Sequence, residues 1–139
     1  MNDYSKLYKS TGIFRYSQEG ADFKLVVEVD QGISDMYRSL IPKYYSVLRP
    51  GYKAHITLVR VGKEYPTDLN YWGAYDYKKV DFLYSPYIHH DQRYFWLNVF
   101  CVKLEEVRAE LGLPTTSRYT VPPDGFKKAF HITIGNRYA

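Results

Sequence analysis

Two copies of a His-x-Thr-x stretch hold the residues of this chain best suited to chemistry. They are His55-Ile56-Thr57-Leu58 and His131-Ile132-Thr133-Ile134, with an aliphatic residue at each x. Side chains of a β-strand alternate between its two faces. His55 and Thr57 therefore share one face while Ile56 and Leu58 take the other. His131 and Thr133 separate from Ile132 and Ile134 in the same way. Each copy displays an imidazole and a hydroxyl on a strand that buries its opposite side. If the strands lie side by side, two imidazoles and two hydroxyls face one cleft. Imidazole, with a pKa of about 6.5, populates both protonation states near neutral pH and serves as base or acid. Two of them astride a phosphorus can take a proton from an attacking hydroxyl and return one to the departing oxygen. The threonine hydroxyls can donate to the non-bridging oxygens, where charge accumulates.

One His-x-Thr carries almost no information, because Ile and Thr favour strands for their own reasons. The signal is the pairing, in matching positions of two similar halves. Metal binding is the competing use of histidine. Each copy offers one ligand, the chain has no Cys/His cluster of zinc spacing, and the neighbours His89 and His90 point apart in a strand. The expectation is no metal and no cofactor.

The elements that must position the motifs read as follows. Residues 11–16 form a short strand that ends in a turn at Ser17–Gly20. Residues 23–29 form a firmer strand centred on Leu25-Val26-Val27. Ser34 caps a helix running to about Leu48, with Met36, Leu40, Ile41, Tyr44 and Leu48 as its core stripe and Pro42 as a kink. The first motif strand follows at 54–61. Residues 62–78 read as loop and 80–84 as a strand. Residues 94–102 read as a central strand, apolar on both faces. A helix at 103–111 places Leu104, Val107, Arg108 and Leu111 together, with Gly112 as its cap. Residues 114–125 are loop, and the second motif strand spans 129–135.

This order contains a repeat, strand–helix–motif strand, at 23–61 and again at 94–135. It predicts an α+β fold, a single domain over 1–139 made of two pseudo-symmetric β-α-β lobes at about 11–91 and 92–139. Their motif strands would meet in the middle of a concave cleft. One mixed sheet without internal symmetry is the alternative.

The chain has 139 residues, enough for one domain with a real core. Sixteen tyrosines help bring the aromatic share to 18%, a supply of rings that stack on flat ligands as well as pack. The net charge of +4 is spread along the chain and suits a small phosphate ligand better than a long duplex. The single cysteine excludes an intrachain disulfide and agrees with a reducing compartment. No stretch approaches the roughly 18 apolar residues of a membrane span, and residues 1–4 lack a signal peptide's apolar run. These features predict a cytoplasmic protein with no membrane partner.

The paired motifs resemble those of the 2H phosphoesterase superfamily, over about residues 23–135. That resemblance implies a bilobal α+β fold with a metal-independent site built from His55, Thr57, His131 and Thr133. A narrower likeness lies in Val29-Asp30-Gln31-Gly32-Ile33, Tyr37 to Tyr44, Arg49-Pro50, Ala54 to Thr57, and Phe130 to Arg137. These runs are similar to the bacteriophage anti-CBASS members, which degrade cyclic di- and trinucleotide messengers of bacterial antiviral signalling. The likeness implies attack by a 2′-hydroxyl on the adjacent 3′–5′ linkage, a 2′,3′-cyclic phosphate, and a linear product. It also implies a phage origin and a bacterial host cytoplasm.

Candidate residues for such a substrate are Tyr16, Trp72, Tyr94 and Trp96 for base stacking, and Lys53, Arg60, Lys128 and Arg137 for phosphate. Two other readings stay open. One is a 2H enzyme of RNA ends, a 2′,3′-cyclic phosphodiesterase or 2′–5′ RNA ligase. The other is a protein that sequesters a nucleotide without cutting it. The sequence does not separate the base histidine from the acid, and it does not fix the oligomeric state.

Overall fold

The structure is a computed structural model that describes residues 6–115 and 130–137. It is α+β: six antiparallel strands and two α-helices among the described residues. The strands are β1 (Tyr8–Glu19), β2 (Asp22–Glu28), β3 (His55–Val59), β4 (Lys79–His90), β5 (Tyr94–Phe100) and β6 (Phe130–Asn136). Helix α1 (Gln31–Ser39) joins β2 to β3, and α2 (Val102–Glu110) follows β5. The chain thus runs twice through strand, strand, helix, strand. The repeating unit is one strand longer than the sequence reading has it.

Neighbours in the sheet follow the order β1-β2-β3-β6-β5-β4, and β1 pairs with β4 to close the ring into a barrel. An open concave sheet is therefore not what forms. The reason lies in β1 and β4, each 12 residues long. Residues 8–13 of β1 pair with β4 while residues 13–19 pair with β2, so one strand serves two neighbours. Closure removes both sheet edges. Glu19 pairs with Asp22, which leaves Gly20-Ala21 as a two-residue turn. Gly20 has φ +60°, as the first central position of a type II′ turn requires.

One face of the strands is apolar. Phe14, Leu25, Val27, Ile56, Leu58, Leu97, Val99, Phe130, Ile132 and Ile134 are buried there, together with Tyr37 and Ile41 near α1 and Leu104, Val107 and Leu111 near α2. Removing this much apolar surface from water is the main stabilising contribution. Strand β5 buries Phe95, Leu97, Val99 and Phe100, in line with its sequence, although it ends before Val102 and, the ring being closed, every strand has two neighbours as it does.

Helix α1 differs from its expectation. Its N-cap is Asp30, whose carboxylate accepts from Gly32 N at 2.8 Å; Ser34 lies inside the helix and is buried. It ends at Ser39 because Pro42 disfavours helical geometry just before it. Residues 43–45 form a separate short 3-10 turn. The stripe shifts accordingly: of its expected members only Ile41 is buried, joined by Tyr37, while Met36, Leu40, Tyr44 and Leu48 are exposed. In α2, Leu104, Val107, Arg108 and Leu111 are all buried as read, and Gly112 follows with φ +74°.

Candidate functional site

Strands β3 and β6 are antiparallel neighbours, with Ile56 opposite Ile132. Ile56, Leu58, Ile132 and Ile134 are buried in the apolar core, so the two His/Thr pairs share the opposite face. Continuing this register sets His55 across from Thr133 and Thr57 across from His131. The two histidines then lie on a diagonal, about 7–8 Å apart at the backbone. That spacing leaves room for a phosphate between the rings.

The pairing extends the row sideways. Across β2, Glu28 faces His55 and Val26 faces Thr57. Across β5, Trp96 faces Thr133 and Asn98 faces His131. Beyond β5, His89 faces Trp96 and stacks on it with ring centroids 6.0 Å apart. Sequence reading includes Trp96 but misses Asn98, Glu28 and His89. The alternation of β5 around its buried Leu97 and Val99 is the signal that puts Asn98 on the motif face.

His55 Nδ1 lies 2.7 Å from the Lys53 carbonyl oxygen. A carbonyl only accepts, so Nδ1 carries the hydrogen and Nε2 keeps the lone pair in the neutral ring. His131 is partly accessible as a residue, but its imidazole is closely surrounded. Burial, then the neighbouring charge of His55, then that of Arg60, push its pKa down to about 4. It is therefore neutral near pH 7. The same causes put His55 and Arg60 each within electrostatic reach of His131.

Arg60 is held where it meets this pair. Glu64 Oε1 accepts from Arg60 N at 3.1 Å and lies 3.6 Å from Arg60 Nε. Glu64 is fixed in turn by Arg108, whose Nη1 and Nη2 reach its two oxygens at 3.1 and 2.8 Å. Arg108 is only 1% exposed and also donates to the carbonyls of Leu58 and Pro114. Burial raises the Glu64 pKa, but the Arg108 bonds and charge outweigh it and hold the carboxyl below its ordinary range. Helix α2 thereby ties the end of β3 to the loop behind it. On the other side, Arg38 of α1 donates to the Ile134 carbonyl at 3.1 Å and steadies β6.

The remaining sequence candidates fall in several places. Tyr16 and Trp72 meet each other edge to face at 4.9 Å, and Phe23 meets Trp72 at 5.0 Å. This cluster packs against the apolar core, with Tyr16 on the face of Leu25 rather than that of the histidines. Tyr94 starts β5 opposite Asn136, under the Arg93 guanidinium at 5.1 Å. Lys53 is exposed and enters the site through its carbonyl oxygen. Arg137 is exposed just beyond β6, and Lys128 lies outside the described residues. Among the described residues no group of three or more His, Cys, Asp or Glu could hold a metal ion, and no helix is long and apolar enough to cross a membrane.

A scan against protein-family models, a search of curated proteins and a search of solved structures each find no match. The functional argument therefore rests on this chain's own residues.

Proposed function

We propose that the protein is a phosphodiesterase of 2H type that opens cyclic di- or trinucleotides. The observation that carries this reading is the register of β3 and β6, which aligns two His/Thr pairs on one face. The resemblance of the motifs and their flanking runs supplies the family and its bilobal description. The tyrosine-rich composition and positive charge suit a ligand with flat bases and phosphates.

In the proposed reaction the ribose 2′-oxygen attacks the neighbouring phosphorus as one imidazole removes its proton. The bond from phosphorus to the 5′-oxygen breaks, and the other imidazole protonates that oxygen. The product is a linear nucleotide with a 2′,3′-cyclic phosphate, which water then opens to a terminal phosphomonoester. Thr57 and Thr133 donate to the non-bridging oxygens. Arg60 offsets the phosphate charge, and that charge in turn favours the protonated imidazole needed as acid. His55 works through Nε2, since its Nδ1 hydrogen is committed to Lys53.

The test is a substrate panel in EDTA: cyclic di- and trinucleotides beside an RNA ending in a 2′,3′-cyclic phosphate, with products resolved by chromatography. Turnover of the cyclic oligonucleotides supports the reading. Opening of the RNA end alone would keep the site and remove the role against antiviral messengers. Stoichiometric binding without product, unchanged in His55→Ala and His131→Ala, would replace the enzyme with a sequestering protein.

A further inference from the structure

Asn98 is 0% exposed and faces His131 directly across β5 and β6. Its Oδ1 accepts from the indole Nε1 of Trp96 at 3.2 Å. An indole nitrogen can only donate, so this bond fixes which end of the Asn98 amide is oxygen. The amide nitrogen must then point the other way. Nδ2 is fully buried and has no hydrogen-bond partner among the described residues.

A buried donor left unmade is costly, and each such group in a folded protein calls for an explanation, a catalytic role or an absent bound group among them. Here the orphan sits beside the imidazole of the second motif. That residue remains partly accessible, and Asn98 stands on the same face beside it. Trp96 holds the amide in advance, and it need not reorganise when charge develops.

We infer that Asn98 Nδ2 donates to a non-bridging oxygen of the phosphate bound between His55 and His131, making Asn98 a catalytic residue positioned by Trp96. This rests on the phosphodiesterase reading and adds to it a donor outside both motifs. Because the two halves have different residues at this strand, the donor also breaks their symmetry. One non-bridging oxygen is held more tightly than the other.

Two experiments test it. The first uses the wild-type protein and follows the Asn98 side-chain amide and the His131 ring by NMR, titrated with inorganic phosphate, a cyclic dinucleotide and the neutral nucleoside adenosine. Both groups are expected to shift with the phosphate ligands, and Asn98 to stay unmoved by adenosine. A shift at His131 with none at Asn98 overturns the inference alone. No shift at either overturns the phosphate site itself, and the inference with it. The second compares Asn98→Ala with wild type on the two phosphorothioate diastereomers of a cyclic dinucleotide. Losing one transition-state donor should lower kcat by about 10²–10³-fold with KM little changed. The preference between diastereomers should shrink in parallel. Equal losses on both diastereomers, or an unchanged kcat, would assign Asn98 to structure only.

Discussion

Acidification should destabilise this protein through His131. An unfolded histidine takes its proton near pH 6.5, whereas His131 in the fold resists it down to about 4. Between those values the unfolded chain binds more protons than the folded one, so stability rises with pH there. The contribution is whole above about 6.5 and is progressively lost as pH falls toward 4. The gap corresponds to about 3 kcal/mol in full, and to about 2.5 kcal/mol between pH 7.5 and 4.5. Asp35, Glu64, Asp81 and Asp91 are held below their ordinary values, so their contributions are lost at lower pH still. The assay is urea unfolding at several pH values in that window, for wild type and His131→Gln. Wild type should lose about 2.5 kcal/mol more than the variant. Equal losses would refute the account of His131 as a buried imidazole neutral near pH 7.

Arg108→Met should cost about 3–5 kcal/mol, because it leaves the Glu64 carboxylate and two carbonyls without their buried donor; chemical denaturation measures it. Arg60→Gln should raise the His131 pKa by removing a nearby positive charge, seen as an upward move of its NMR titration midpoint. Gly112→Ala should destabilise by about 1–3 kcal/mol, since φ is +74° and a Cβ would sit 1.9 Å from Thr67 Oγ1; thermal unfolding reports it.

The motif strands were legible because period-2 alternation states directly which side of His55-Ile56-Thr57-Leu58 is buried. The buried side of α2 was legible for the same kind of reason, at helical spacing. Helix α1 was misjudged at both ends. Met36, Leu40 and Tyr44 recur at helical intervals, yet Pro42 ends the helix and Asp30 caps it four residues early. A hydrophobic stripe says nothing about whether the backbone can continue. The barrel closure was not legible, because strand pairing between residues 8–13 and 79–84 leaves no local trace. The partners of the site were hidden for the same reason. Asn98 stands in a strand that reads as apolar on both faces, and only its register against His131 marks it out. Arg108 read as part of an apolar helix side. Its burial makes sense only once Glu64 and the Leu58 carbonyl are seen beside it.

The central claim is that His55 and His131 act on one phosphate. The most direct test is single-turnover cleavage of a cyclic dinucleotide by wild type, His55→Ala and His131→Ala. Binding should be measured on each, and folding checked by unfolding. Each variant is expected to bind and fold while losing at least about 10²-fold in rate, the scale of a lost general acid or base. Full cleavage by either folded variant would contradict the claim.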